Sequence, residues 1–449
     1  MSNNKQQMSH YDKMTQTPLV KLIVSLGIPT TISMLVTSIY NMADTYFVGT
    51  LGESQQGSIG ILFTLQAIIQ AIAFMLGQGS GTMVSKAQAD RNETEANEYV
   101  STGFYTALTL GTVLMIGGLL FLKPFMIALG STETILPYAM QYGACVLISC
   151  PLVMGSFVLN NNLRYEGKAF FSMLGLVSGG IINILGDYLL VMVLPFGVLG
   201  AGISTAVSQT ISFGILLYFY KKRALGKIRV SAVSRNIQVY ATICKIGLPA
   251  LLRQGLSSIS SGLLNNLTRP YGDAAIAAMS VVNRFSAFIM CVGLGIGQGY
   301  QPVASFNYQA KKLDRVKKGL LVTMAISAAL VAMLAIPGFI LAEQIVWAFQ
   351  KSEAVMEIGV FALRCACLGT MFLPMSVPVN MLYQSTRQVK ASMLLSLFRS
   401  GLMFIPTLII TTTLWGITGI QISQPLADVF TAFATIPFIV AFMRREEQK

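Results

Sequence analysis

The sequence predicts an all-α membrane protein with twelve transmembrane helices in two pseudo-symmetric six-helix lobes. Three observations carry that prediction. First, apolar segments recur along all 449 residues, which are 54% hydrophobic and 11% charged, whereas a soluble domain carries about 25% charged residues. An uncharged run of about 18 or more residues can cross the bilayer as a helix, and no hydrophilic stretch is long enough for a separate soluble domain. Second, Lys and Arg between the apolar segments gather on one side of the chain's zigzag. Third, the second half repeats the first at an offset of 220 residues.

The chain opens with a polar tail, 1–19, unlike the early apolar stretch of a signal peptide. Apolar spans follow near 20–48, 56–84, 99–122, 134–158, 169–194 and 198–220, forming an N-lobe over 20–220. A basic linker at 221–237 leads to spans near 238–267, 273–304, 319–342, 355–382, 389–413 and 416–443, a C-lobe over 238–443, and a tail at 444–449. Several spans exceed the roughly 20 residues a crossing needs, which predicts tilt or extension beyond the hydrocarbon. The side holding both tails and the even-numbered loops carries 23 Lys and Arg; the other side has only Lys123, Arg269 and Lys351. Basic residues are retained in the cytoplasm, so both termini and the 221–235 loop are expected there, with the chain multi-pass in the cytoplasmic membrane.

The repeat is specific. Gly27-Ile28-Pro29 matches Gly247-Leu248-Pro249, and Gly52 matches Gly272. Gly77-Gln78-Gly79 matches Gly297-Gln298-Gly299, Ser85 matches Ser305, Asn160 matches Asn380, and Ser172 matches Ser392. Near the end the register slips by one, pairing Gly197 with Gly416. Six spans per copy return the chain to its starting side, so the copies are parallel repeats. That architecture recurs in secondary transporters and permits alternating access by rocking.

The formal charge of +13 raises the question of nucleic acid, but its placement assigns it to lipid headgroups at the cytoplasmic surface. Cys145, Cys150, Cys244, Cys291, Cys365 and Cys367 all fall in apolar segments without a CxxC pair, and His10 is the only histidine. Neither a disulfide framework nor a cysteine or histidine metal site is expected. The glycine runs 77–81 and 295–299 lie within apolar spans with no preceding strand, and read as close helix packing. No GxxxxGK[ST] occurs, so no nucleotide is expected. No nucleophile-and-base pattern suggests an enzyme, and no cofactor is implied. Twenty-four methionines and 25 phenylalanines suit a deformable apolar cavity.

Ionisable groups within spans are costly and mark function by default. Asp44 in span 1 and Asp187 in span 5 both sit toward the outer half of the membrane. Asn183 lies one helical turn before Asp187, on the same face. Two buried carboxyls with a carboxamide neighbour make a site for H⁺ or Na⁺, which offsets the cost of burying their charge. Pro29 and Pro249 cannot donate to the helix ladder and are expected to kink spans 1 and 7. The second lobe is basic instead: Arg253, Arg284, Arg364 and Arg399 fall within spans 7, 8, 10 and 11, with Asp428 in span 12 the one carboxylate at similar depth. These residues are expected to line a substrate cavity.

Taken together, the twelve spans, the repeat, Gly27-Ile28-Pro29, the run Asn41-Met42-Ala43-Asp44-Thr45-Tyr46-Phe47-Val48-Gly49 and Asn183-Ile184-Leu185-Gly186-Asp187 resemble the MATE (multidrug and toxic compound extrusion) family, in its prokaryotic DinF-like or MepA-like branch. The resemblance covers nearly the whole chain. It implies antiport, a lipophilic organic compound leaving as H⁺ or Na⁺ enters, by a protein expected to act as a monomer. It adds Asn160, Arg164 and Thr205 to the coupling-ion site of Asp44, Asp187 and Asn183. Family members with second-lobe ion sites keep acids on spans 7 and 10; here Arg253 and Arg364 stand there instead. A flippase or exporter of a lipid-linked or anionic amphiphile is the other reading.

Overall fold

The computed structural model describes residues 10–349 and 352–445; Lys5, Lys351 and Lys449 of the basic census lie outside them. Twelve long helices follow in order: α1 (Leu19–Gly49), α2 (Glu53–Ala89), α3 (Glu93–Leu120), α4 (Leu136–Tyr165), α5 (Ala169–Asp187), α6 (Gly197–Arg223), α7 (Ile237–Thr268), α8 (Asp273–Gln309), α9 (Leu313–Ile340), α10 (Glu353–Thr370, resuming as Leu373–Ser385), α11 (Val389–Leu397, resuming as Phe404–Trp415) and α12 (Ile417–Met443). Among the described residues, ten spans are long and apolar enough to cross a membrane, and α10 makes an eleventh across its 48° bend. Lys245, Arg253 and Gln254 leave α7 short of that apolarity, yet it is 32 residues long and is the repeat mate of α1. This is a multi-pass helical membrane protein, as the hydropathy predicts.

The repeat holds in backbone geometry. Positive φ recurs at Gly52 and Gly272, at Arg91 and Lys311, at Gly167 and Arg387, and at Gly197 and Gly416. At the Arg91, Lys311, Gly167 and Arg387 corners, one residue beyond the left-handed position donates five residues back: Asn92 to Ala87, Lys312 to Asn307, Lys168 to Leu163, and Gln388 to Tyr383. These are Schellman closures that satisfy a helix's last carbonyls. Three of the four left-handed positions carry a basic residue rather than glycine.

The described residues divide into two compact units: 32–251 with His10, and 11–31 with 252–349 and 352–445. They depart from the sequence segments 20–220 and 238–443 at two places. The first part of α1, through Thr31, packs in the second unit, and the first part of α7, through Leu251, packs in the first. Both helices run on as α-helix through Pro29 and Pro249, and the unit boundary falls two residues past each proline.

The glycine runs explain this exchange. In the first unit a Cβ added at Gly79 of α2 would meet the Ile243 carbonyl of α7, and one at Gly247 would meet the backbone of Met75. In the second unit Gly299 of α8 abuts the backbone of Gly27 in α1, and Gly295 abuts Thr31. Small residues let helix backbones approach closely in a bilayer. The runs are packing surfaces, as their sequence context indicates.

Two segments expected as a polar tail and a linker are docked. Residues 10–16 are helical. Met14 there is fully buried, its carbonyl accepts from Asn307 Nδ2 at 3.0 Å, and Tyr11 packs edge-on to Phe306 at 5.6 Å. Lys221, Lys222 and Arg223 extend α6 by its last turn, where positive charge favours a helix C-terminus. The chain beyond is strapped to the first unit by its backbone. The buried Glu166 carboxylate accepts from Leu225 N at 2.5 Å and Gly226 N at 3.0 Å. Asn97 Oδ1 accepts from Lys227 N, Ser101 Oγ from Arg229 N, and Thr102 Oγ1 from Ser234 N. The basic side chains of the strap remain exposed.

Candidate functional site

In the first unit α4 is the most buried span, packed against α2, α3 and α6. Its Tyr142 organises the acidic cluster. Tyr142 Oη donates to Asp44 Oδ2 at 2.8 Å and lies 2.9 Å from Thr205 Oγ1 of α6. Asn183 Nδ2 of α5 donates to Thr205 Oγ1 at 3.2 Å and reaches Asp187 Oδ1 at 3.5 Å. Ser204 Oγ donates to the Asn183 carbonyl at 3.0 Å. Four helices therefore join two carboxyls through one hydrogen-bonded chain. Small residues bring them together: Tyr40 of α1 packs over Gly180 of α5, and Ser204 packs against Gly186.

The proton bookkeeping gives the site its character. Tyr142's hydroxyl proton goes to Asp44, so Thr205 donates to Tyr142, and Asn183's amide protons go to Thr205 and Asp187. Every donor in the chain is spent. Asp44 Oδ1, Asp187 Oδ2 and Asn183 Oδ1 are buried without a hydrogen-bond partner among the described residues. Asp44, Asp187 and Asn183 are 3%, 0% and 2% exposed. Unpaired buried carboxylate oxygens are expensive, and buried acceptors with no donor suit a small hard cation that binds oxygen or a proton.

Asp187 is the last α-helical residue of α5, followed by a π-helical turn, Tyr188–Val193. The second unit has a π-turn at Phe398–Leu402 within α11, at a different repeat position, opposite α-helical residues 178–182 of α5. π-turns concentrate at functional sites, and hydrophobic periodicity gives no sign of them.

Asn160 and Arg164 do not join the aspartates. Asn160 Nδ2 donates to Ser172 Oγ at 2.7 Å and to Ser172 O at 3.2 Å, near the start of α5. Its repeat mate Asn380 makes the same staple, donating to Ser392 O at 3.0 Å and to Ser396 Oγ at 2.9 Å. Arg164, 1% exposed, donates to Asn161 Oδ1 at 2.6 Å. Asn183 lies eleven residues beyond Ser172 on α5, about 16 Å at 1.5 Å per residue.

The four second-unit arginines separate. Arg253 Nη1 donates to Asn380 Oδ1 at 3.0 Å, and Arg399 Nε to Asp428 Oδ1 at 2.9 Å. Ser396 joins these pairs, since it binds Asn380 and sits three residues before Arg399 on α11. Arg364 goes elsewhere, pairing at 3.0 Å with Glu343 of the short helix Ala342–Phe349, their side chains 40% and 60% exposed. Its long stem lets the head leave the apolar zone. Arg284 is exposed and lines a groove of about 400 Å³ with Asp273, Ile276, Ser280 and Phe349. Of the four expected to line one cavity, the structure brings together Arg253 and Arg399, with Asp428, and sets Arg284 and Arg364 apart.

Sequence reasoning missed Tyr142 and Ser204. Neither carries charge, and in a span rich in Tyr and Ser only the geometry singles them out. Among the described residues no group of three His, Cys, Asp or Glu could hold a metal ion, and all six cysteines are free thiols.

Comparison with known proteins places this geometry. The multidrug export protein MepA of Staphylococcus aureus (strain MRSA252) is 24% identical over 445 residues, covering 98% of this chain and 97% of its own. A MATE protein solved in complex with MaL6 shares the fold with a TM-score of 0.91 at 23% identity, covering 97% of this chain and 99% of that one. A MOP-superfamily transporter from Pyrococcus furiosus, described by a reversed polarity of its binding pocket, superposes with a TM-score of 0.90 at 22% identity, covering 97% and 99%. The MatE family profile matches residues 29–189 and again 249–410, once in each repeat and through both aspartates of the first. Twelve helices, a doubled profile and nearly full-length relatives together make this chain a member of the MATE family of membrane transporters.

Proposed function

We propose that this transporter exports small lipophilic organic compounds, such as drugs, by antiport with H⁺ or Na⁺, its access alternating between the two sides of the membrane. The observation that carries the coupling is the first-unit cluster: Asp44 and Asp187 buried at the ends of one hydrogen-bonded chain, with three acceptor oxygens lacking a donor. The name of the relative MepA supports multidrug export, and parallel repeats are an alternating-access architecture. The transporter works as a monomer among lipids, without nucleotide, cofactor or nucleic acid. The test is a substrate panel in proteoliposomes with pH and Na⁺ gradients imposed separately. One of the two gradients is expected to drive uptake of ethidium or rhodamine 6G into inverted vesicles. Transport indifferent to both gradients sinks the proposal.

Both termini and the strap lie in the cytoplasm on this reading, since 23 of 26 loop and tail Lys and Arg are on that side. Ser231 in the strap and Glu133 in the loop after α3 are both exposed. In a cysteine-free background, Glu133→Cys is expected to react with an impermeant maleimide in intact cells, and Ser231→Cys only after permeabilisation. The opposite pattern inverts the topology.

A further inference from the structure

We infer that Arg399 is a docking point for an anionic oxygen group, carboxylate or phosphate, on a ligand of this transporter. Its guanidinium is held from one side. Nε donates to Asp428 Oδ1 at 2.9 Å, and Gln424 Nε2 fixes the same oxygen at 3.0 Å. Asp428 is only 3% exposed, while the Arg399 side chain is 23% exposed. The Nη1 and Nη2 groups make no hydrogen bond or ion pair among the described residues. A carboxylate on Nε thus orients the fork and leaves its two-pronged end open, the geometry that binds carboxylate or phosphate through paired hydrogen bonds.

The open end cannot face hydrocarbon. Arg399 is ten residues into the span Val389–Trp415, about 15 Å at 1.5 Å per residue, near mid-membrane. A guanidinium there stays charged and must meet water, protein or a ligand. Arg253 is joined to the same face through Asn380 and Ser396, so a second guanidinium stands beside this pair. The local backbone is specialised as well: Arg399 sits in the π-turn Phe398–Leu402, whose Ser400 carbonyl accepts the Ser260 hydroxyl of α7.

The fold does not need this ion pair. At the 220-residue offset Arg399 corresponds to Gly179, and past the one-residue slip Asp428 corresponds to Gln209. The first repeat runs as α-helix through Gly179 and carries neither charge. A buried pair is a poor source of stability after its desolvation cost, so a fold-stabilising role does not explain it.

This inference rests on the reading of the chain as an exporter and sharpens it: the ligands include organic anions or zwitterions. Its test is equilibrium binding in detergent, which needs no gradient, so failure of ion coupling and failure of the anion site are read separately. Fluorescence polarisation would follow carboxyfluorescein, an organic anion, and rhodamine 6G, a cation. The intact protein is expected to bind both. Arg399→Gln is expected to weaken carboxyfluorescein at least tenfold and rhodamine 6G less than twofold, and Arg399→Lys to recover part of the loss. Competition by dihexanoyl phosphatidylglycerol but not benzoate would identify the group as a lipid headgroup; the reverse would identify a soluble organic acid. No carboxyfluorescein binding to the intact protein, an unchanged affinity in Arg399→Gln, or equal loss of both dyes would overturn the inference. Rhodamine binding and an unchanged melting curve establish that Arg399→Gln is folded.

Discussion

Asp44→Asn and Asp187→Asn are each expected to abolish gradient-driven efflux, by at least a hundredfold, while the protein stays folded in the membrane. The amide oxygen of Asp44→Asn can still accept the Tyr142 hydroxyl, which lies 2.8 Å from Asp44 Oδ2, so the hydrogen-bonded chain survives. What disappears is the negative charge that a proton or Na⁺ would neutralise. Substrate binding, read by dye polarisation, should fall far less than transport. Tyr142→Phe is the informative companion. It keeps both carboxyls but leaves Asp44 Oδ2 without its donor, a loss of about 1–3 kcal/mol, and is expected to shift the pH or Na⁺ dependence of efflux rather than eliminate it. Near wild-type concentrative efflux by both aspartate variants would place coupling elsewhere.

Gly247→Val is expected to be the most destabilising single change in the packing of α7. The added Cβ would meet the backbone of Met75 in α2, and no rotamer moves a backbone carbonyl. Overpacking of this kind costs about 1–3 kcal/mol or more, on a fold whose total stability is about 5–15 kcal/mol. Gly255, two turns on in the same helix, has nothing within 4 Å of an added Cβ. Gly255→Ala should therefore be neutral or stabilise by up to about 1 kcal/mol through helix propensity. Melting curves in one detergent compare them directly. Equal melting temperatures would mean the α2 and α7 backbones are not closely packed at Gly247.

Much of this was legible in the sequence because membranes leave few options. Long apolar runs must be helices, since hydrocarbon satisfies no backbone hydrogen bond. A charge inside such a run is costly enough that its presence signals use, which is how Asp44, Asp187 and Arg399 stand out. Asn160 and Asn380 show the other side of the same logic: their shared offset marked the repeat, and their shared serine staple shows the repeat is physical. What stayed hidden was neutral or non-local. Tyr142 holds the acidic cluster together, yet one tyrosine among sixteen carries no distinguishing pattern. Arg364 reads as intramembrane until the short helix bearing Glu343 is seen to draw its head outward. The exchange of half-helices was invisible because apolarity says that a helix is buried, not which neighbours bury it.

That exchange has a consequence in time. The first part of α1 is synthesised before the other eleven helices, but the glycines it packs against, Gly295 and Gly299 of α8, and the Asn307 and Arg315 that bind the Met14 and Thr17 carbonyls, come more than 260 residues later. At about 5–20 residues per second of translation, that is a wait of roughly 15–60 s. Until Leu251 is made, the nascent first repeat also lacks the half of α7 that completes it. The first half of this protein cannot finish folding as it leaves the ribosome, and a first repeat expressed alone would end with an unfilled glycine groove along α2 and the opening residues of α1 without a partner.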